Sequence, residues 1–310
     1  MKRIVPIIML ALLGIGLLAY PCLASWLFDR HASMATQSYD DSVAAASAGQ
    51  REAAWQQAVE YNQNLEGNPV HDPFLKGSGM ALSDDYAATL SIGEDDAMGY
   101  VEIPEIDVKL PIYHGSSEAT LQQGAGHLEG SSLPIGGIGS HSVLTGHTGL
   151  VHARMFTDLI KLEEGDVFYL HVLDRVLAYQ VDQILVVEPS NITPLRRDAN
   201  RDLCTLVTCT PYGVNSHRLM VRGHRIDYQP GDEQAQGTPA GHNITWLPPD
   251  IMLVCLVAGL DLVVLLAWLL WRSRRRLAVR QASSRRGVVS NAHPQGSRLQ
   301  QRRAQRCAKQ

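Results

Sequence analysis

Two short stretches of the sequence carry residue types that could do covalent chemistry together. The first is Thr205-Leu206-Val207-Thr208-Cys209-Thr210-Pro211-Tyr212-Gly213-Val214-Asn215-Ser216-His217-Arg218. A β-type run ends at Cys209, Pro211 to Asn215 supply turn residues, and a second run begins at His217. The pattern predicts a hairpin with a thiol at the end of one strand and a guanidinium early in the next. A thiolate is the reactive form of cysteine, and a nearby positive charge favours it. An arginine can also stabilise the oxyanion that develops when a carbonyl is attacked. The second stretch is Leu144-Thr145-Gly146-His147-Thr148-Gly149, which sets an imidazole at a strand end with a glycine on either side. A cysteine nucleophile needs such a group as proton donor and acceptor, and flanking glycines let the backbone turn sharply around it.

Among the twelve histidines, His141, His152, His171 and His224 have no comparable setting. His217, next to Arg218, points to the opposite face if both lie on a strand. Five cysteines are present, and they form no disulfide framework: Cys22 and Cys255 lie in apolar segments and Cys307 in a basic tail. Cys204 and Cys209 are five apart, so on one strand they face opposite ways. Taken singly, a strand cysteine is more often buried and inert, and a glycine-flanked histidine is more often a turn residue. No Cys or His cluster has zinc-like spacing. Gly136-Gly137-Ile138-Gly139 lacks the lysine of a phosphate-binding loop.

The elements that must hold these residues are short. From Met98 onward the chain breaks into β-type runs separated by Gly and Pro: Tyr100–Ile103, Val108–Tyr113, His141–Thr145, Val167–Val172, Leu177–Val187, Leu203–Cys209 and His217–Ile226. Such spacing predicts a closed or sandwich β domain over 98–228. Ahead of it, Gln37 to Leu65 is rich in Ala and Gln and reads as a helix stopped by Gly67-Asn68-Pro69. Val70 to Asp96 reads as irregular.

Charge divides the chain. Residues 28–249 hold 29 acidic and 13 basic side chains, a net of −16, whereas residues 272–310 hold 12 basic and no acidic ones. An apolar run from Ile4 to Tyr20 follows Met1-Lys2-Arg3, and residues 1–27 read as an N-terminal anchor or a signal peptide. A second run, Ile251 to Trp271, is about long enough for a bilayer core of roughly 30 Å. Trp246, Trp268 and Trp271 sit near its ends, and Arg272, Arg274, Arg275 and Arg276 follow. Basic flanks on both outer sides place those flanks in the cytoplasm and the acidic region outside. The expected order is therefore anchor or signal 1–27, helical region 28–97, β domain 98–228, linker 229–245, membrane helix 246–271 and basic cytoplasmic tail 272–310.

At its reactive residues the sequence resembles the sortase family. Thr205-Leu206-Val207-Thr208-Cys209 fits the TLxTC signature, Arg218 stands where the active-site arginine follows it, and Thr145-Gly146-His147 matches the histidine motif. The run from Thr208 to Gly223 resembles the class C, pilin-polymerising branch. The C-terminal span and Asp72-Pro73-Phe74 upstream of the β domain agree with that branch. The resemblance implies a mainly β fold, an eight-stranded sortase-type barrel with an N-terminal helical and lid segment and two membrane-spanning helices. It implies Cys209, His147 and Arg218 as the catalytic set and no cofactor. The implied reaction has Cys209 attack the carbonyl of an LPxTG-like motif while His147 protonates the departing amine. The thioester is then opened by a lysine amine of the next pilin. The implied partners are pilins or surface proteins bearing that motif, and the membrane; no nucleic acid is expected. Asp72 and Phe74 are implied as a lid, Asp72 in an exposed ion pair with Arg218 and Phe74 over the sulfur of Cys209. A sortase that joins surface proteins to peptidoglycan, or a membrane-tethered scaffold without catalysis, are the other readings.

Overall fold

The computed structural model describes residues 5–65, 72–74, 83–93, 96–150 and 153–229, together with residues 259 and 268. Residues 20–246 belong to one compact unit, which contains the barrel; the first 19 residues and those from Leu247 onward are grouped in another. Helix α1 spans Val5–Ala45, and α2 spans Ala48–Asn64. The Ala- and Gln-rich stretch expected as one helix is thus interrupted at Ala46-Ser47. The signal for the break is in the sequence: Ser47 accepts the N–H of Gln50 while the Gln50 side chain accepts the N–H of Ser47, a capping box. Gly67-Asn68-Pro69, read as the helix stop, lies outside the described residues; α2 has already ended with Leu65 as its C-cap.

Both helices are tied to the β domain through few but specific contacts. Tyr39 is buried, donates its hydroxyl proton to the carbonyl of Met98 at 3.0 Å and accepts the N–H of Leu173 at 2.8 Å. Asn62 exchanges both hydrogen bonds with the backbone of Leu133. The Arg175 guanidinium lies over the Trp55 ring at 3.9 Å and pairs with Glu52. A third, short helix, α3, covers Asp84–Ala87 and buries Tyr86.

Eight strands follow: β1 Ala97–Ile103, β2 Val108–His114, β3 Ala125–His127, β4 His141–Thr145, β5 Val167–Val172, β6 Arg175–Val187, β7 Leu203–Thr210 and β8 His217–Ile226. A fourth short helix, α4, Glu118–Leu121, lies between β2 and β3. The strands close into a barrel in the order β1-β2-β3-β4-β7-β8-β6-β5, with β5 pairing back on β1. The β2–β3 and β4–β7 pairs are parallel and the others antiparallel. The expected mainly β, eight-stranded barrel is therefore observed. Seven of its strands coincide with the runs read from the sequence; β3, three residues of Ala-Gly-His, is too short to show a period.

Strand β7 is buried along almost its whole length, as a strand covered on both faces must be. Cys204 and Leu206 join the main core, while Val207 joins a second cluster with Leu128, Val143, Leu195 and Met220. Side chains alternate along a strand, so Cys209 shares the face of Val207, and Arg218 on β8 that of Met220. Cys204 and Cys209 accordingly face opposite ways, and Cys204 is an interior residue.

Two histidines are fully enclosed. His127 meets the Tyr86 hydroxyl at 2.7 Å and the Ser132 carbonyl at 2.8 Å; His141 meets the Thr205 hydroxyl at 2.7 Å and the Arg196 carbonyl at 2.9 Å. Burial pushes each imidazole down to about 4, so both are neutral in the folded barrel. The unfolded chain binds these protons near pH 6.5, so the stability they confer is complete above that value and is lost as pH falls from 6.5 toward 4. At pH 5 the loss amounts to about 2 kcal/mol per residue. Denaturant midpoints should therefore drop between pH 7.5 and 5, and a flat profile would contradict the neutral, buried assignment.

Among the described residues no helix is long and apolar enough to cross a membrane. The first apolar run forms the start of α1, several of whose side chains there are outside the described set. The second expected span, apart from Gly259 and Trp268, lies outside the described residues, as does the basic tail.

Candidate active site

Cys209 and Arg218 are direct cross-strand partners at the turn end of the β7–β8 hairpin. The turn between them contains Gly213 and Asn215, both at positive φ, and brings β8 back. The Arg218 guanidinium is anchored by this turn: Nη1 donates to the carbonyls of Asn215 at 3.1 Å and His217 at 3.0 Å. Its other edge is held by Asp72, Nε donating to Oδ1 at 2.8 Å and Nη2 to Oδ2 at 2.6 Å. This is the fork geometry that a lysine cannot make.

The pair was expected to be exposed, and it is not. Arg218 is 5% exposed and Asp72 3%. Phe74, two residues on, packs its ring against the second apolar cluster and over the guanidinium at 5.2 Å. The same ring lies 5.9 Å from the imidazole of His147. Phe74 thus engages His147 and Arg218 together, and Cys209, the cross-strand partner of Arg218, is 8% exposed.

His147 is placed by the parallel pairing of β4 with β7, in register from His141↔Leu203 to Thr145↔Val207. Two further bonds continue that register past the strand end. The Gly146 N–H donates to the carbonyl of Val207 at 3.1 Å, and the Thr208 hydroxyl donates to the carbonyl of Gly146 at 2.7 Å. The thiol-bearing strand therefore grips the residue preceding the imidazole. The two glycines around His147 have different reasons. Gly149 sits at φ +74°, where a side chain is strained, whereas at Gly146 a Cβ would meet the Phe156 ring at 2.7 Å.

Electrostatically the site is at rest. Burial pushes the Cys209 thiol up from its ordinary value; Arg218 opposes that shift and Asp72 adds to it. The Asp72 hydrogen bonds hold Arg218 charged more firmly than usual despite burial. Cys204, enclosed and close to Asp202, is pushed much further up and is no rival nucleophile. Among the described residues no group of three His, Cys, Asp or Glu side chains could hold a metal ion.

Sequence reasoning brought Cys209, His147, Arg218, Asp72 and Phe74 to one place and missed two neighbours. Thr208 was legible only as part of a motif. Glu118, whose Oε1 lies 3.3 Å from His147 Nε2, comes from α4, which carried no signal toward the site.

A model of the sortase domain matches residues 101–226. Sortase A of Bacillus anthracis is 29% identical over 139 residues, covering 45% of this chain and 64% of that protein. For a Streptomyces coelicolor sortase the identity is 30%, covering 51% of this chain and only 49% of the relative. Solved structures match over nearly their whole length. Sortase C of Streptococcus pneumoniae is 47% identical with a TM-score of 0.58, covering 63% of this chain and 97% of that one. Sortase C-1 of Actinomyces oris is 47% identical with a TM-score of 0.54, covering 57% and 99%. The chain belongs to the sortase family of cysteine transpeptidases, in its class C branch.

Proposed function

We propose that this chain is a pilin-polymerising transpeptidase that cleaves an LPxTG-like sorting motif and joins the acyl group to a lysine amine of the next pilin subunit. The observation that carries the reading is the cross-strand pair of Cys209 and Arg218, with Asp72 held on the guanidinium and the Phe74 ring over it; we read Asp72 and Phe74 as a lid. Similarity to sortases C, among them a pilus-related one of Group B Streptococcus, supports it. In this reading Cys209 and His147 act as thiolate and imidazolium. The sulfur attacks the scissile carbonyl, and the oxyanion takes the Nε and Nη2 edge of Arg218 that Asp72 occupies at rest. His147 gives its proton to the departing amine, and a thioester on Cys209 remains. The second apolar cluster, which carries Phe74 at rest, becomes the floor for the apolar end of the motif once the lid has left.

In this reading the acidic domain lies outside the cell, between an N-terminal anchor or signal in residues 1–27 and a second span in 246–271, with both basic flanks in the cytoplasm. The test of the reaction is mass analysis after incubation with a peptide carrying the motif and a lysine-containing acceptor. An acyl-enzyme on Cys209 and an isopeptide product are expected. Acylation at Cys204, or assembly sustained by a Cys209→Ala chain, would overturn the reading; transfer to glycyl amines in preference to lysine would make the protein a wall-anchoring enzyme.

A further inference from the structure

Glu118 stands at the edge of the site, and the reaction as written makes no use of it. It belongs to α4, between β2 and β3, and its Oε1 lies 3.3 Å from Nε2 of His147. Oε1 also accepts a hydrogen bond from the Gln122 amide at 3.0 Å, which holds the carboxylate in this direction. The approach to His147 is not an aligned hydrogen bond: Nε2 is buried and makes none. The Glu118 side chain is 69% exposed, against 17% for His147. A carboxylate in that much water grips an imidazole weakly, yet it is open to a cation arriving from solvent.

The thioester must be opened by an amine, and at neutral pH a primary amine arrives as an ammonium ion. We infer that Glu118 is the acceptor subsite: its carboxylate receives the incoming primary ammonium, a lysine side chain, and sets it beside His147. The inference rests on the transpeptidase reading above. The net charge of −16 over residues 28–249 favours the approach of cations in general, and Glu118 sets a carboxylate against the imidazole. After the first half-reaction His147 is neutral, having given up its proton. The ammonium loses one proton to water and presents its lone pair to the thioester carbonyl. As the C–N bond forms, its second proton passes to His147, and the C–S bond breaks with its electron pair on Cys209. The amide keeps one N–H, and the thiolate and imidazolium are restored.

The test is a competition. The full-length chain is given a labelled peptide bearing an LPxTG-like motif, together with a capped lysine peptide and hydroxylamine, which is uncharged at neutral pH. The ratio of the two transfer products is measured for the wild type, Glu118→Gln, Glu118→Asp and Glu118→Lys. Any effect on acylation, or on His147 as a proton carrier, falls on both products and leaves the ratio alone. The lysine-to-hydroxylamine ratio should fall about three- to fivefold in Glu118→Gln, further in Glu118→Lys, and be largely retained in Glu118→Asp. Added salt should lower the wild-type ratio. An unchanged ratio in the Gln and Lys variants overturns the assignment, including the case where both products decline together. Failure of the wild type to transfer to either acceptor is a different result, and overturns the transpeptidase reading itself.

Discussion

Replacing His147 with alanine should lower acyl transfer by about 10²- to 10⁴-fold, the range typical of a lost general acid–base group. The loss should appear in a single turnover as slow release of the leaving peptide, because the enclosed or stacked imidazoles of the barrel cannot take its place. His127 and His141 are enclosed and held neutral, and His171 is stacked on Tyr100 at 4.2 Å. Arg218→Lys should be comparably severe. The guanidinium is held by the turn through Nη1 and presents two parallel donors through Nε and Nη2. An ammonium on a flexible stem cannot supply both functions at once. Near-normal turnover in Arg218→Lys would mean that charge alone matters. Arg222 is a poor substitute, since Asp182 on β6 holds it at 2.9 Å.

Removing the lid should have the opposite sign. In Asp72→Ala, Phe74→Ala we expect a small thiol reagent to label Cys209 at least about tenfold faster than in the wild type, with melting unchanged enough to show an intact fold. Two causes add. Phe74 no longer covers the site, and the thiol loses both burial and the Asp72 charge, the influences that push it up. Each unit by which the thiol falls multiplies the thiolate present below its titration point about tenfold. The rate-against-pH curve should therefore move to lower pH as well as rise. An unchanged labelling rate sinks the lid. The single change Asp72→Ala is the harsher one for the resting state, because it leaves the buried Arg218 charge without its partner.

Much of this was legible in the residues. The runs that became β1, β2 and β4 to β8 announced themselves by β-branched and apolar content, and the hairpin from Cys209 to Arg218 by its turn residues. What was hidden follows from physics that acts across the chain. The break at Ser47 was written as a capping box inside a helix-favouring background, where composition drew attention away from it. β3 is stabilised by its neighbours and has no pattern of its own. The buried pairing of Asp72 with Arg218 joins residues separated by 146 positions, which no local reading can show. Glu118 reaches His147 only because β2, α4 and β3 fold back beside β4.

Because the Thr208 hydroxyl holds the carbonyl of Gly146, the thiol and the imidazole are brought together by a contact between segments far apart in the chain. Local structure alone cannot assemble them. Until β4 lies alongside β7, the β7–β8 hairpin can set Arg218 across from Cys209, but no imidazole stands beside the thiol to carry its proton. The candidate set is completed by the same event that closes the barrel, and the burial and the Asp72 charge that come with folding push the thiol up and keep it quiet at rest.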